Sequence, residues 1–276
     1  IMVLRHIFGF LVLIWSISGF ASAQGAEPEK IRNFLTVTGF DVAIASIQQG
    51  AMAGPALAGD APDQCSREWV RLGETVFEPD QMVDDAIEML GAVMPVAMLD
   101  HGMAFYGSDL GQHIVAIENE THMEDGDAKQ AAGEKLITRL IEENSPRMDV
   151  FRAMSKAIGS VDVAIRSIVE IQVRYLMAAS AAGASDLDLD ETDLRAMLMS
   201  QQDEMRRNIE VNGMVANAYA YRTLSDQELI DYLSALQDPQ LKQVYEVLNA
   251  VQYEIMADRY EKLASRLAGL APETEL

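Results

Sequence analysis

The residues able to do chemistry in this chain are four histidines, one cysteine and 43 acids. The histidines are His6, His101, His113 and His122. Glu118 and His122 stand four apart, a spacing that shares one helix face. His113 falls on a different face of the same helix. Zinc asks for three or four ligands at set spacings. Neither His-Glu-x-x-His nor the Glu-x-x-His pair of di-iron bundles is present. The histidines therefore read as solvated or locally paired side chains.

Nucleophilic chemistry fares no better. No Gly-x-Ser-x-Gly elbow occurs, and Cys65 has no histidine near it in sequence. A lone cysteine closes no internal disulfide, so Cys65 reads as a small buried apolar side chain. No glycine loop is shaped to cradle phosphate. The acids from Asp186 to Asp193 alternate as in a calcium loop. Glu191, however, occupies the position that needs glycine, and Met197 the position that needs a bidentate glutamate. The run reads instead as a loop and a helix start, its acids complementing the helix dipole. Other acids belong to solvated helix faces, so no carboxylate pair is singled out as acid and base. Asn119-Glu120-Thr121 has the form of a glycosylation sequon but lies mid-helix. Met197, Met199 and Met205 read as core filler. No catalytic, cofactor-binding or metal-ligating residue is assigned, no cofactor is required, and an enzyme is not expected.

Composition narrows the partners. The net charge is −22 over 276 residues. A surface this acidic repels phosphate backbones and anionic lipid heads, which argues against nucleic acid. Apolar residues make up 49%, enough for a substantial core, while aromatics are 7%. Ala, Leu, Ile, Val and Met carry that core, a mix that favours helices.

The first residues have the three parts of a secretory signal. Arg5 and His6 precede an apolar run from Ile7 to Ile17. Ala21-Ser22-Ala23 offers a small-x-small cleavage site before Gln24. The run is shorter than the roughly 20 residues of a membrane span. The expectation is cleavage after Ala23, no stable membrane span in the product, and a periplasmic location.

The rest reads as helices. Pro28 and Glu29 open one whose apolar face is Ile31, Phe34, Leu35 and Thr38, and Gly39 stops it. Asp41 is the expected cap of the next. Residues 50–62 read as loop. Asp63 or Ser66 starts a helix bearing Trp69, Leu72 and Val76. Pro79 starts another, broken at Gly91 and Pro95. A short helix from Leu99 to Phe105 ends at Gly107, and Ser108 or Asp109 caps the next. Glu124 to Asp127 is a polar break, Ser145-Pro146 a restart, and Gly159 a bend. Ser225 and Glu228 form a capping box, with Leu224 and Leu229 placed as a hydrophobic staple. Asp238-Pro239 caps a last helix with Leu241, Val244, Tyr245, Leu248, Val251 and Ile255 on one face, ended by Gly269 and Pro272.

Two stretches, Leu99 to Ile117 and Leu229 to Leu248, share a pattern of short helix, turn and long helix. Asp109 and Pro239 stand at matching turns, which suggests two copies of one helical module. The fold expected is all-α, about eight to ten short-to-medium helices, with a signal peptide at 1–23 and modules at 24–125 and 126–276.

Three segments carry a family resemblance. Lys30-Ile31-Arg32-Asn33-Phe34-Leu35-Thr36-Val37-Thr38-Gly39 and Ala104-Phe105-Tyr106-Gly107-Ser108-Asp109-Leu110-Gly111-Gln112 resemble the bacterial domain-of-unknown-function 2059 family. Its members carry an I-R-x-L-L-x-L-T-G helix and a phenylalanine-tyrosine-x-serine-proline-x-glycine turn. Tyr219 to Leu229 is similar to a second segment of longer members. Asp109 replaces the usual proline, and Met94 to Ala97 lack the usual acidic helix start. The resemblance, over most of the mature chain, implies a helical, exported, periplasmic protein and no activity. In the turn, Phe105 and Tyr106 are expected to bury against the following helix, with Gly107 and Gly111 allowing close approach. The function expected is a non-enzymatic interaction or structural role, with another envelope protein as partner. The alternative is a small apolar ligand held between helices. The oligomeric state is left open.

Overall fold

The computed structural model describes residues 26–52, 66–185 and 187–267. Among them the structure is all-α, with no strand. The helices are α1 (Pro28–Thr38), α2 (Phe40–Ala45), α3 (Ile47–Met52), α4 (Ser66–Val76), α5 (Pro79–Val93), α6 (Val96–Tyr106) and α7 (Asp109–Met123). They continue as α8 (Gly126–Glu142), α9 (Arg147–Ile158), α10 (Val161–Ala181), α11 (Glu191–Met199), α12 (Gln202–Ala220), α13 (Asp226–Leu236) and α14 (Pro239–Leu267). The segments outnumber the eight to ten expected, because brief interruptions at Gly39, Ser46 and Gly159 divide longer helical stretches. No helix of the described residues is long and apolar enough to cross a membrane. The expected signal segment, Cys65, Asp63, Gly269 and Pro272 lie outside the described residues.

Local signals place the helix ends. Gly39 adopts φ 71°, a left-handed conformation open to glycine at little cost, and its N–H caps α1. Asp41 does not cap α2. Gly39 takes that position, and Asp41 lies in the first turn, where it accepts a hydrogen bond from Thr36 Oγ1 at 2.8 Å. Gly91 does not break α5, which runs on to Val93 with Gly91 packed close to Ile31. Asp190 caps α11 by accepting from the Asp193 N–H at 2.9 Å, with Glu191 and Asp193 in its first turn. The Ser225–Glu228 capping box is present in both directions, and Leu224 and Leu229 are buried beside it.

Two helical hairpins organise the middle of the molecule. Helices α6 and α13 are both 11 residues long, and each is followed by a two-residue link before a longer helix. Asp109 and Pro239 are the first residues of those longer helices. Ser108 Oγ accepts from the Gly111 N–H at 3.1 Å, and Asp238 Oδ1 accepts from the Leu241 N–H at 2.9 Å. The hairpins clasp each other: His101 on α6 bonds Asp238 at 2.8 Å, and His113 on α7 bonds Glu228 on α13 at 3.1 Å.

One apolar core runs through both halves of the sequence. Phe34, Leu90 and Ile114 share it with Leu229, Val244 and Ile255. The boundary at 125/126 is a helix junction, where Asp125 caps α8 by accepting from the Ala128 N–H at 2.9 Å. Helix α14 packs along α10 and also reaches α4, α5 and α6. A smaller cluster of Val169, Val173, Leu194 and Leu198 holds α11 onto α10, with Met199 and Met205 against it and Met197 exposed.

A candidate binding site built on Glu118 and four tyrosines

The hairpins converge on a buried carboxyl group. Glu118 lies midway along α7 and turns inward. Its Oε1 accepts hydrogen bonds from Tyr221 Oη at 2.6 Å and Tyr232 Oη at 2.9 Å. Tyr232 Oη lies 3.3 Å from Tyr106 Oη and 3.1 Å from Tyr245 Oη, and Tyr106 and Tyr245 also bond each other. A phenol has one proton. Tyr232 gives its proton to Glu118, so its oxygen accepts from the Tyr106–Tyr245 side of the cluster.

Each member is fixed by a helix. Tyr106 ends α6, Tyr221 directly follows α12, Tyr232 lies on the buried face of α13, and Tyr245 lies near the start of α14. Ring packing supports the hydroxyl network: Phe105 stacks on Tyr232 with centroids 5.9 Å apart, and Tyr221 meets Tyr232 edge-on at 5.7 Å. The sequence reading seats Phe105 and Tyr106 against the following helix; Phe105 stacks instead on Tyr232 of the other hairpin, and Tyr106 meets the Phe105 ring edge-on at 5.0 Å. Gly111 allows the turn beneath them, since a Cβ there would come within 2.3 Å of the Phe105 carbonyl oxygen.

Burial decides the proton states. It holds the Glu118 carboxyl above its usual range, outweighing the two phenol hydrogen bonds that favour the anion. It likewise raises Tyr106, Tyr221, Tyr232 and Tyr245 above the ordinary phenol value, with the nearby Glu118 charge adding to the shift. The phenols therefore remain donors at any physiological pH.

This cluster lines a cavity of about 480 Å³ walled by both hairpins together with α1, α2, α8, α9 and α12. Phe40, Ile158, Val215 and Leu248 supply apolar wall, and Thr121, Asn217, Asn249 and Gln252 supply polar groups. Gly39 also faces the cavity; a Cβ there would come within 2.6 Å of Asn119 Oδ1. Glu118 and His122 share this wall, as their four-residue spacing predicts. Burial, and then Lys129, lowers the His122 pKa and favours the neutral ring. Lys129 Nζ donates to the Thr121 carbonyl at 2.6 Å. At the rim, Arg222 lies 4.0 Å over the Tyr219 ring, and Tyr219 Oη donates to Glu124.

His101 and His113 stand apart from the cavity in the hydrogen bonds described above, and His6 lies outside the described residues. No group of three or more His, Cys, Asp or Glu among the described residues could hold a metal ion. The sequence reading pairs Glu118 with His122 on one helix face but assigns it no site. Its partners stand 103 and 114 residues away, so no local pattern could reveal them. A signal did exist in Tyr245, a hydroxyl-bearing side chain on the apolar face of the last helix. A buried phenol needs a hydrogen-bond partner.

Comparison with known proteins identifies the segment that carries much of this geometry. Residues 80–139 match the family described as uncharacterized protein conserved in bacteria (DUF2059). Over this segment the chain is similar to that family. The match covers α5 from its second residue, all of α6 and α7, and α8 through Arg139, and so includes Tyr106 and Glu118. It stops short of 30–39 and 219–229, which the sequence reading had joined to the same family. No curated protein and no solved structure matches the chain.

Proposed function

We propose that this chain is an exported, periplasmic, non-enzymatic binding protein that holds a small ligand in the cavity its hairpins help to wall. The cavity carries this reading: 480 Å³ falls within the volumes of ordinary ligand sites, roughly 300–1,000 Å³. Its wall combines apolar surface with a few convergent polar groups fixed on helices, the usual make-up of such sites. An entirely apolar ligand fits less well than one with an apolar body and a polar head, because Glu118 and the tyrosines form one wall. Phenols held protonated by burial serve as fixed donors rather than as proton-transfer groups, which favours binding over catalysis. Export rests on the Arg5-to-Ala23 signal pattern. An interaction role with another envelope protein is compatible with this reading, the cavity then acting as the sensing element.

Native mass spectrometry of the protein purified from its own cell envelope tests both parts. The reading expects a chain beginning at Gln24 with an added small mass that is lost on denaturation. A chain that retains residues 1–23 overturns export, and a bare mass under gentle ionisation overturns ligand retention.

A further inference from the structure

The charge around Glu118 does not balance. Its Oε1 accepts both phenol hydrogen bonds, while no described residue bonds Oε2. Glu118 is only half-buried and stands on the cavity wall, where Oε2 is the oxygen not engaged by the phenols. The groups facing Glu118 from packed elements are phenols: Tyr106 from α6, Tyr221 after α12, Tyr232 from α13 and Tyr245 from α14. The cationic groups on the cavity wall are Lys129 and, when protonated, His122. Lys129 is directed to the Thr121 carbonyl, and His122 is held toward its neutral form beside it. A buried carboxylate without a counter-charge is costly, and such a group takes up a proton or gains a cation.

We propose that the cavity binds a small organic cation, a primary ammonium on an apolar body, with Glu118 Oε2 as its counter-charge. The inference rests on the ligand-binding reading above and supplies the ligand's chemistry. The ammonium has three donors, and Oε2 is a free acceptor that the site itself leaves open. The body of the ligand lies against Phe40, Ile158, Val215 and Leu248. Aromatic rings around the carboxyl add cation–π attraction. The net charge of −22 steers cations toward the protein and anions away from it. A neutral alkyl alcohol of the same shape gains the apolar contacts without the charge term.

The carboxyl also sets a pH signature. Burial keeps Glu118 protonated above the usual carboxyl range, so cation binding displaces that proton to solvent. Affinity rises as pH rises through the Glu118 pKa and levels off above it. His122 loses its own charge in the same direction, so the Glu118 contribution is isolated by substitution.

The test is isothermal titration of the full exported chain with n-hexylammonium chloride and, separately, n-hexanol, at about pH 5 and about pH 8. Wild type and Glu118→Gln are compared after circular dichroism confirms that both are folded. At the higher pH the ammonium should bind at least tenfold tighter than the alcohol. Glu118→Gln should abolish that preference and most of its pH dependence. Equal affinity for the two probes in wild type overturns the cation inference even if the variant does not fold, as does a variant that keeps the preference. Binding of hexanol alone overturns the cation while keeping the cavity as a ligand site. Binding of neither overturns both.

Discussion

Tyr221 and Glu118, 103 residues apart in sequence, are joined by a hydrogen bond of 2.6 Å between phenol and carboxylate. The bond ties the end of α12 to the middle of α7. The carboxyl sits where burial disfavours its charge, so the molecule's stability depends on its protonation. The folded pKa lies above the unfolded value near 4.5. The stability it contributes is therefore full below that value and falls as pH rises through the folded pKa. Glu118→Gln keeps an acceptor for both phenols and removes the titration. Urea unfolding should show the variant near wild type at about pH 4.5 and more stable at about pH 8. A constant difference between the two pH values would show that Glu118 does not titrate in the folded range.

Among the described residues, Arg259 is the charged residue built most deeply into the core, 5% exposed on the inner face of α14. It donates to the Val76 carbonyl at 3.1 Å and pairs with Asp85. Arg259→Met leaves both partners without their donor and should cost about 2 kcal/mol. Arg152→Ala breaks the exposed pair with Asp149 and should fall within about 0.5 kcal/mol of wild type. Chemical denaturation of the two variants checks the contrast.

Glycine matters at Gly111 for space and not for backbone angle. Gly111→Ala places a methyl against the Phe105 carbonyl, which is main chain and cannot swing aside. The cost should be about 2 kcal/mol. Gly126, at the start of α8, has nothing within 4 Å of its missing Cβ. Gly126→Ala should be neutral or stabilising by about 0.5 kcal/mol. Melting temperatures of the pair would separate crowding from a general intolerance of alanine.

Ser225 caps the helix that presents Tyr232. Ser225→Ala removes the acceptor for the Glu228 N–H and should cost about 1 kcal/mol. Fraying of α13 should also loosen the tyrosine cluster, read as a loss of near-ultraviolet circular dichroism. An unchanged tyrosine signal would show that packing against α7 and α14 holds Tyr232 without the cap.

The sequence was most informative where a feature is settled within one or two turns of chain. The face Ile31, Phe34, Leu35 and Thr38 is the set that α1 buries. The capping box at Ser225 and the starts of α7 and α14 at matching positions were equally legible, because a cap depends on three or four consecutive residues. Arg259 was missed because it occupies the apolar stripe of α14 as a charged residue, and the partners that make this tolerable come from α5 and the end of α4. The cavity was missed for the same reason. Its wall is assembled from α1 to α14, and Glu118 differs from its neighbour Glu120 only in the direction it faces once the helices are packed.

Helix α14, which begins at Pro239, lays Val244, Val251 and Ile255 into a core begun by α1 and α5. Helices α4, α5 and α6 thus wait for α14, later in the chain, before their apolar faces are fully covered. Local helices form quickly, but closing loops of this length is slow. Until α14 has been synthesised, the tertiary structure of the helices it covers stays open. For a chain proposed to be threaded through a secretory channel, that delay is useful: the polypeptide stays loose enough to pass, and the core closes on the far side.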